Sequence, residues 1–152
     1  MKDITKYTIT VLQDLIKTCE DDYLLLEIVS LKAVDNELKS LFSAYADETK
    51  RHLNKLVIEI KRLGGCAELN KDDSESPIEF FNSSKFKESD NGMIVECLKK
   101  DDLILRKYFY ALRKNIMWEV VPIVAQQYFE SKNLHDQIEN ICMEKSNRLI
   151  HK

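Results

Sequence analysis

The sequence is poor in the residues that interrupt helices: its 152 residues include only three glycines and two prolines. Gly64, Gly65 and Pro77 all fall outside the long stretches with helical periodicity. Such punctuation is typical of an all-α protein and leaves little support for strands. A chain of this length suits one domain, so we predict a single domain over residues 1–152.

The sequence also lacks the marks of a membrane or nucleic-acid protein. No stretch approaches the roughly 18 consecutive apolar residues of a membrane span, and residues 1–6 lack the apolar core of a signal peptide. The 26 acidic and 23 basic residues are mixed along the chain, with a net charge of -3, so no basic stripe follows a phosphate backbone. We therefore predict a cytoplasmic protein that binds neither membranes nor nucleic acid.

Paired cysteines and nucleophile motifs are absent as well. The four cysteines are widely spaced without a C-x-x-C pair, and three of them sit among helical apolar positions. This pattern is typical of reduced thiols that fill a core. The sequence contains no G-x-S-x-G and no glycine-rich phosphate loop, so nucleophilic catalysis is not indicated and we do not expect an enzyme.

Four periodic stretches fill most of the chain. Apolar residues recur at helical spacing over about 3–33, 36–63, 90–113 and 118–148. Gly64-Gly65 is expected to end the second helix, and Pro122 suits the first turn of the fourth. The first and last connections are short, whereas residues 64–89 are long enough to cross a bundle from end to end. The pattern predicts a ferritin-like four-helix bundle, in which two antiparallel hairpins are joined by a long crossover.

A loose internal repeat relates the two hairpins. Residues 45–52 (YADETKRH) and 128–135 (YFESKNLH) share a tyrosine, an acidic residue two places on and a histidine seven places on. Upstream, the acidic pairs Asp21-Asp22 and Asp101-Asp102 each precede an apolar run. Matched acids and histidines in two helical hairpins are the layout from which carboxylate metal sites are built.

Counting along antiparallel hairpins brings acids from all four helices to similar heights. Asp22 falls level with about Glu48, and Asp101 with about Glu130. A histidine lies about one turn from each pair. Carboxylate and imidazole ligands suit Fe or Mn. The candidate metal ligands are Asp22, Glu48, His52, Asp101 and His135, with Glu130 as a supplement.

Two features of the pattern argue against a dinuclear centre. In the second helix His52 follows Glu48 by four residues, and Arg51 occupies the position that the Glu-x-x-His spacing reserves for the histidine. Glu130 also lies at the margin of its apolar face rather than at the centre. The alternative is that the central aspartates are buried acids, satisfied by hydrogen bonds to histidines and tyrosines.

A family resemblance rests on five segments: residues 12–19 (LQDLIKTC), 37–42 (ELKSLF) and 62–65 (RLGG), with Gln127-Tyr128 and His135-Asp136. These segments resemble a bacterial ferritin-like family of unknown function. The resemblance covers nearly the whole chain and implies a ferritin-like four-helix bundle, without implying an activity. The chain departs from the family pattern where Tyr23 replaces a first-helix acid, Asp101 a third-helix Glu and Phe80-Phe81 a Trp-bearing segment.

Two functions agree with this pattern. The first is a non-catalytic structural or interaction module, which offers a helical face or the aromatic residues Phe80, Phe81 and Phe86 to a protein partner or a second copy of the chain. The second is a di-iron or di-manganese carboxylate protein with ferroxidase-type oxygen chemistry. The incomplete ligand spacing favours the first.

Overall fold

The computed structural model describes residues 3–69 and 90–150 and places them in four long helices. Helix α1 spans Asp3–Lys32, α2 spans Asn36–Arg62, α3 spans Asp90–Arg113 and α4 spans Val121–Ile150. No strand occurs in the described ranges, which confirms the predicted all-α class. Within the same ranges, none of the helices combines the length and apolarity needed to cross a membrane.

The helices pack as a square in which neighbours are antiparallel. Helix α1 packs on α2 and α3, and α4 packs on the same two helices. Along α1 and α3, Asp14 faces Lys107 whereas Asp22 lies beside Asp101, so the two helices run in opposite directions. The diagonal helices α2 and α3 are therefore parallel, and the segment that joins them connects opposite ends of the bundle. The part of the predicted crossover from residue 70 to 89, with its three phenylalanines, lies outside the described residues.

The core consists of two apolar clusters with a polar layer between them. The first cluster includes Leu15 and Ile60, and the second includes Leu26 and Phe42. On every helix, buried polar residues lie between the positions that contribute to the two clusters. These buried polar residues include Asp22, Thr49, His52, Asp101, Gln127 and Ser131.

Local signals define both ends of α2. The carboxylate of Asp35 accepts a hydrogen bond from the backbone N–H of Leu38 at 3.0 Å, as an N-cap does. At the other end Gly64 has a φ of 89°, and the N–H groups of Gly64 and Gly65 donate to the carbonyls of Lys61 and Ile60. This is the Schellman arrangement, so the predicted glycine stop is confirmed.

Helix α4 begins three residues after the predicted start at residue 118. Residues 118–120 form a turn, in which the N–H of Val120 donates to the carbonyl of Met117 at 2.9 Å. The turn is fixed to α1, because the N–H of Met117 donates to the hydroxyl of Thr8. Trp118 continues the apolar pattern of the helix, yet it is 82% exposed. Pro122 occupies the first turn of α4, as expected.

We expect Gly64→Ala to destabilise the bundle by about 1 kcal/mol, because a side chain at positive φ is strained. The midpoint of urea denaturation measures this loss. Gly92→Ala is the control, since Gly92 lies within α3, where alanine is the better helix former. That variant should be neutral or stabilised. Equal stability of wild type and Gly64→Ala would contradict the assigned cap.

Candidate metal site

The polar layer separates into two groups of side chains. We call Asp22, Tyr45, Asp101 and His135 the inner network, because all four are buried. We call Glu48, His52 and Glu130 the outer triad, because its two glutamates are partly exposed between α2 and α4.

Asp101 is the centre of the inner network. Its carboxylate is 1% exposed and receives hydrogen bonds on both oxygens. The hydroxyl of Tyr45 donates to Oδ1 at 2.5 Å, and Nδ1 of His135 donates to Oδ2 at 2.5 Å. These contacts join α2, α3 and α4 through one carboxylate. For Asp101, though not for Asp22, these contacts agree with the alternative that the central aspartates are satisfied by histidines and tyrosines.

Asp22 is the member of the inner network that lies on α1, and it is a neutral acid. Burial and the nearby charge of Asp101 raise the pKa of Asp22 well above its ordinary value. We therefore assign the proton to Asp22 and the negative charge to Asp101. The Oδ1 atom of Asp22 is buried without a hydrogen-bond partner. Burial opposes charge on His135, but its hydrogen bond to Asp101 and the charges of Asp101 and Glu139 raise its pKa.

A second chain of hydrogen bonds crosses all four helices beside the inner network. The hydroxyl of Tyr108 donates to Oε1 of Gln127 at 2.9 Å, and Nε2 of Gln127 donates to the carbonyl of His52 at 3.1 Å. The Sγ atom of Cys19 lies 3.2 Å from the Tyr108 hydroxyl. Because Tyr108 gives its single proton to Gln127, the thiol of Cys19 is the donor in that contact.

The outer triad converges on one imidazole nitrogen. Nε2 of His52 lies 3.2 Å from Oε1 of Glu48 and 3.1 Å from Oε2 of Glu130. Ligand atoms of the three side chains all lie within 4.8 Å of one another. The side chains of Glu48 and Glu130 are 18% and 35% exposed, whereas that of His52 is 6% exposed. One side of the triad therefore faces solvent.

Glu130 is an ionised member of the outer triad. Hydrogen bonding with Glu48 lowers the pKa of Glu130 to about 2, against the effect of burial, and hydrogen bonds from His52 and Gln126 act in the same direction. Glu130 is therefore a carboxylate at neutral pH. The guanidinium of Arg51 contacts the other glutamate, Glu48.

The structure divides the predicted ligands between these two groups. Asp22, Asp101 and His135 lie in the inner network, whereas Glu48 and His52 join Glu130 in the outer triad. Within the described part of the chain, the outer triad is the one group of three acidic, cysteine or histidine side chains with ligand atoms this close. The predicted five-residue set remains a prediction.

The predicted site left out two residues of the polar layer. Gln127 binds the backbone of His52, and the hydroxyl of Ser131 lies 3.4 Å from Nδ1 of the same histidine. Both are buried on α4 at 3% and 2% exposure. Polar residues at the centre of an otherwise apolar helical face were the signal that pointed to them.

Comparison with known proteins identifies the fold. A scan against protein-family models gives no match, and a search of curated proteins gives none either. Among solved structures, the chain is similar to a dodecameric thioferritin, the bacterioferritin-related protein from Bacteroides fragilis. The TM-score is 0.75 at 13% identity, covering 97% of this chain and 90% of that one. This chain is a ferritin-like four-helix bundle, as its sequence predicted.

We expect Asp22→Asn to flatten the pH dependence of stability. An acid whose pKa is raised by folding favours the folded state below its unfolded pKa, and this contribution is lost as the pH rises towards the folded pKa. Asparagine resembles the protonated acid and cannot ionise. The stability of the variant relative to wild type should therefore increase by roughly 1 kcal/mol or more between pH 5 and pH 8.

Urea denaturation at the two pH values measures this difference. Asp102→Asn is the matched control, because the Asp102 carboxylate is 49% exposed and pairs with Arg106 at the surface. Its stability relative to wild type should change little with pH. If the stability of Asp22→Asn changed with pH in the same way as that of wild type, Asp22 would not hold the buried proton.

Proposed function

We propose that this ferritin-like protein binds a single divalent transition-metal ion through Glu48, His52 and Glu130. The observation that carries the proposal is the convergence of two carboxylates and one imidazole within 4.8 Å. Carboxylate and imidazole donors suit Fe, Mn and Zn. Three protein ligands leave further coordination positions, and these fall on the exposed side of the triad.

The inner network does not fit the second set of ligands that a dinuclear centre requires. Both oxygens of Asp101 already accept hydrogen bonds, from Tyr45 and His135. Nδ1 of His135 is used in that bond, and its Nε2 lies 3.3 Å from Oε2 of Glu139. Freeing Asp101 for a metal would leave buried polar groups without partners, at a cost of about 1–3 kcal/mol each. The donor set therefore favours one metal ion over two.

Buried groups on α4 orient His52 for this role. A histidine that binds metal through Nε2 carries its proton on Nδ1, where a hydrogen-bond acceptor holds the ring in place. The hydroxyl of Ser131 is 3.4 Å from Nδ1, and Gln127 holds the backbone of the same residue. Nε2 is thereby directed towards both glutamates.

In this proposal the metal ion lies at the bundle surface, and the site does not perform the two-metal oxygen chemistry of a ferroxidase. The inner network acts as a structural polar layer, since its acids and histidine satisfy one another. A single-metal site does not supply the pair of metals of the di-iron or di-manganese alternative. This division of the polar layer therefore argues against the di-iron or di-manganese alternative, as the ligand spacing does.

We expect reconstitution with Mn(II) or Fe(II) to load about one metal ion per chain, because the triad provides one set of ligands. His52→Ala and Glu130→Gln should weaken binding at least roughly tenfold. Metal content by mass spectrometry and titration of free Mn(II) by electron paramagnetic resonance measure these changes.

Two inner-network variants control for the loss of a histidine or an acid. His135→Ala and Asp101→Asn should retain the metal, provided circular dichroism shows that they fold. Loading below about 0.2 metal ions per chain in wild type would contradict the proposal. Two equivalents that are lost in Asp101→Asn would instead support the dinuclear alternative.

We further propose that the chain self-associates. The similar thioferritin is dodecameric. Apolar side chains are exposed on the outer face of α1, where Leu24 is 43% and Leu31 is 70% exposed, seven residues apart on the helix. The partly buried Ile28 lies between them and extends the same face. A continuous apolar stripe of this kind is typical of a contact surface.

We expect the double variant Leu24→Asp, Leu31→Asp to lower the molar mass measured by light scattering, because buried charges oppose association. Gln137→Asp, at an exposed polar position of α4, is the control and should leave the mass unchanged. A wild-type protein that is monomeric at micromolar concentration would contradict the proposal.

A further inference from the structure

Arg51 lies at the solvent edge of the outer triad without being able to bind a metal. Its guanidinium contacts the carboxylate of Glu48, and its side chain is 66% exposed. The hydrogen bond and charge of Glu48, with weaker contributions from Asp47 and Glu130, raise the pKa of Arg51. Arg51 is therefore a permanent positive charge beside the side of the triad that faces solvent.

The positive charge of Arg51 is no longer balanced once a divalent ion is bound. The two positive charges of the ion are balanced by Glu48 and Glu130, while His52 is a neutral ligand. Arg51 then loses much of the attraction of Glu48, because that carboxylate is shared with the metal. One positive charge is left beside the coordination positions that the protein does not fill.

Asp47 is the remaining acid near Arg51, and it has other neighbours. Asp47 lines a groove between α1 and α2 with Ser30 and Ser43. Asp47 also acts on the hydroxyl of Tyr23, and the ammonium of Lys50 lies 5.1 Å from the centre of the same ring. Asp47 acts on Arg51 less strongly than Glu48 does, so it does not replace the attraction that Arg51 loses when the metal binds.

We propose that the metal-loaded outer triad binds a small inorganic oxyanion, recognised jointly by the metal ion and Arg51. This inference rests on the proposed metal site. A guanidinium presents planar paired donors that match two oxygens of phosphate or bicarbonate. A hard divalent ion prefers oxygen ligands in its open positions. Together they form an anion site that exists only when the metal is bound.

Helix α2 contains a second arginine, Arg62, that pairs with a glutamate outside the outer triad. Arg62 donates to Oε2 of Glu59 at 2.8 and 3.0 Å, with the same three-residue spacing as Arg51 and Glu48. No histidine and second carboxylate join Glu59 in a metal-ligand cluster of the described residues. Arg62→Gln therefore removes an equivalent ion pair without touching the proposed anion site.

The test measures the affinity for Mn(II) with and without inorganic phosphate, with bicarbonate as a parallel arm. In wild type, the oxyanion should tighten Mn(II) binding about fivefold or more, and Mn(II) should tighten phosphate binding by the same factor. Arg51→Gln should abolish this coupling while binding Mn(II) alone as tightly as wild type or more tightly. Arg62→Gln should retain both properties. A protein-free titration corrects for manganese phosphate formation.

The outcomes separate the two proposals. Mn(II) binding without any oxyanion effect in wild type would overturn the anion site and leave the metal site intact. Coupling that persists in Arg51→Gln would likewise overturn the role of Arg51. Absence of Mn(II) binding in wild type would overturn the metal site and, with it, the anion site. Coupling to phosphate alone or to bicarbonate alone would support the proposal and identify the anion.

Discussion

The buried carboxylate of Asp101 constrains how the four helices align. A charge in the core has to be compensated, and here the compensating groups come from three other helices: Asp22, Tyr45 and His135. Moving one helix by a single residue shifts it by about 1.5 Å and rotates its face by about 100°, which would withdraw its donor. Breaking a buried charged pair costs about 3–5 kcal/mol, so the network selects one register. The contacts within the apolar clusters on either side do not require a particular direction in this way.

The polar layer thus combines two parts with different tasks. The inner network has nearly all of its hydrogen bonds made within the protein, whereas the outer triad places its carboxylates together at the surface. The two histidines of the internal repeat illustrate the difference. His135 forms a hydrogen bond with the buried Asp101, whereas His52 contacts Glu130 between α2 and α4. Equivalent positions in the sequence repeat therefore have different partners in the structure.

Helical periodicity and local end signals account for most of the predicted fold. Gly64 could be predicted as the end of α2 because a glycine stop depends on a few neighbouring residues. The start of α4 was misplaced because Trp118 has the right spacing but is exposed, and periodicity does not measure exposure. Counting along the hairpins predicted acids from all four helices at similar heights, with a histidine about one turn from each pair. The choice of partners within that layer depends on side-chain rotamers and on helices far apart in sequence, as in the pairing of His52 with Glu130.

The positions of the cysteine thiols allow local opening of the bundle to be measured. Cys19 and Cys97 are buried, whereas Cys66 is exposed. Burial raises the pKa of Cys19 to about 12 and that of Cys97 well above its ordinary value, so neither forms the reactive thiolate while the bundle is closed. The two thiols lie in different apolar clusters, one on each side of the Asp101 layer. Their separate rates of alkylation therefore measure how readily each half of the core opens, without any engineered probe.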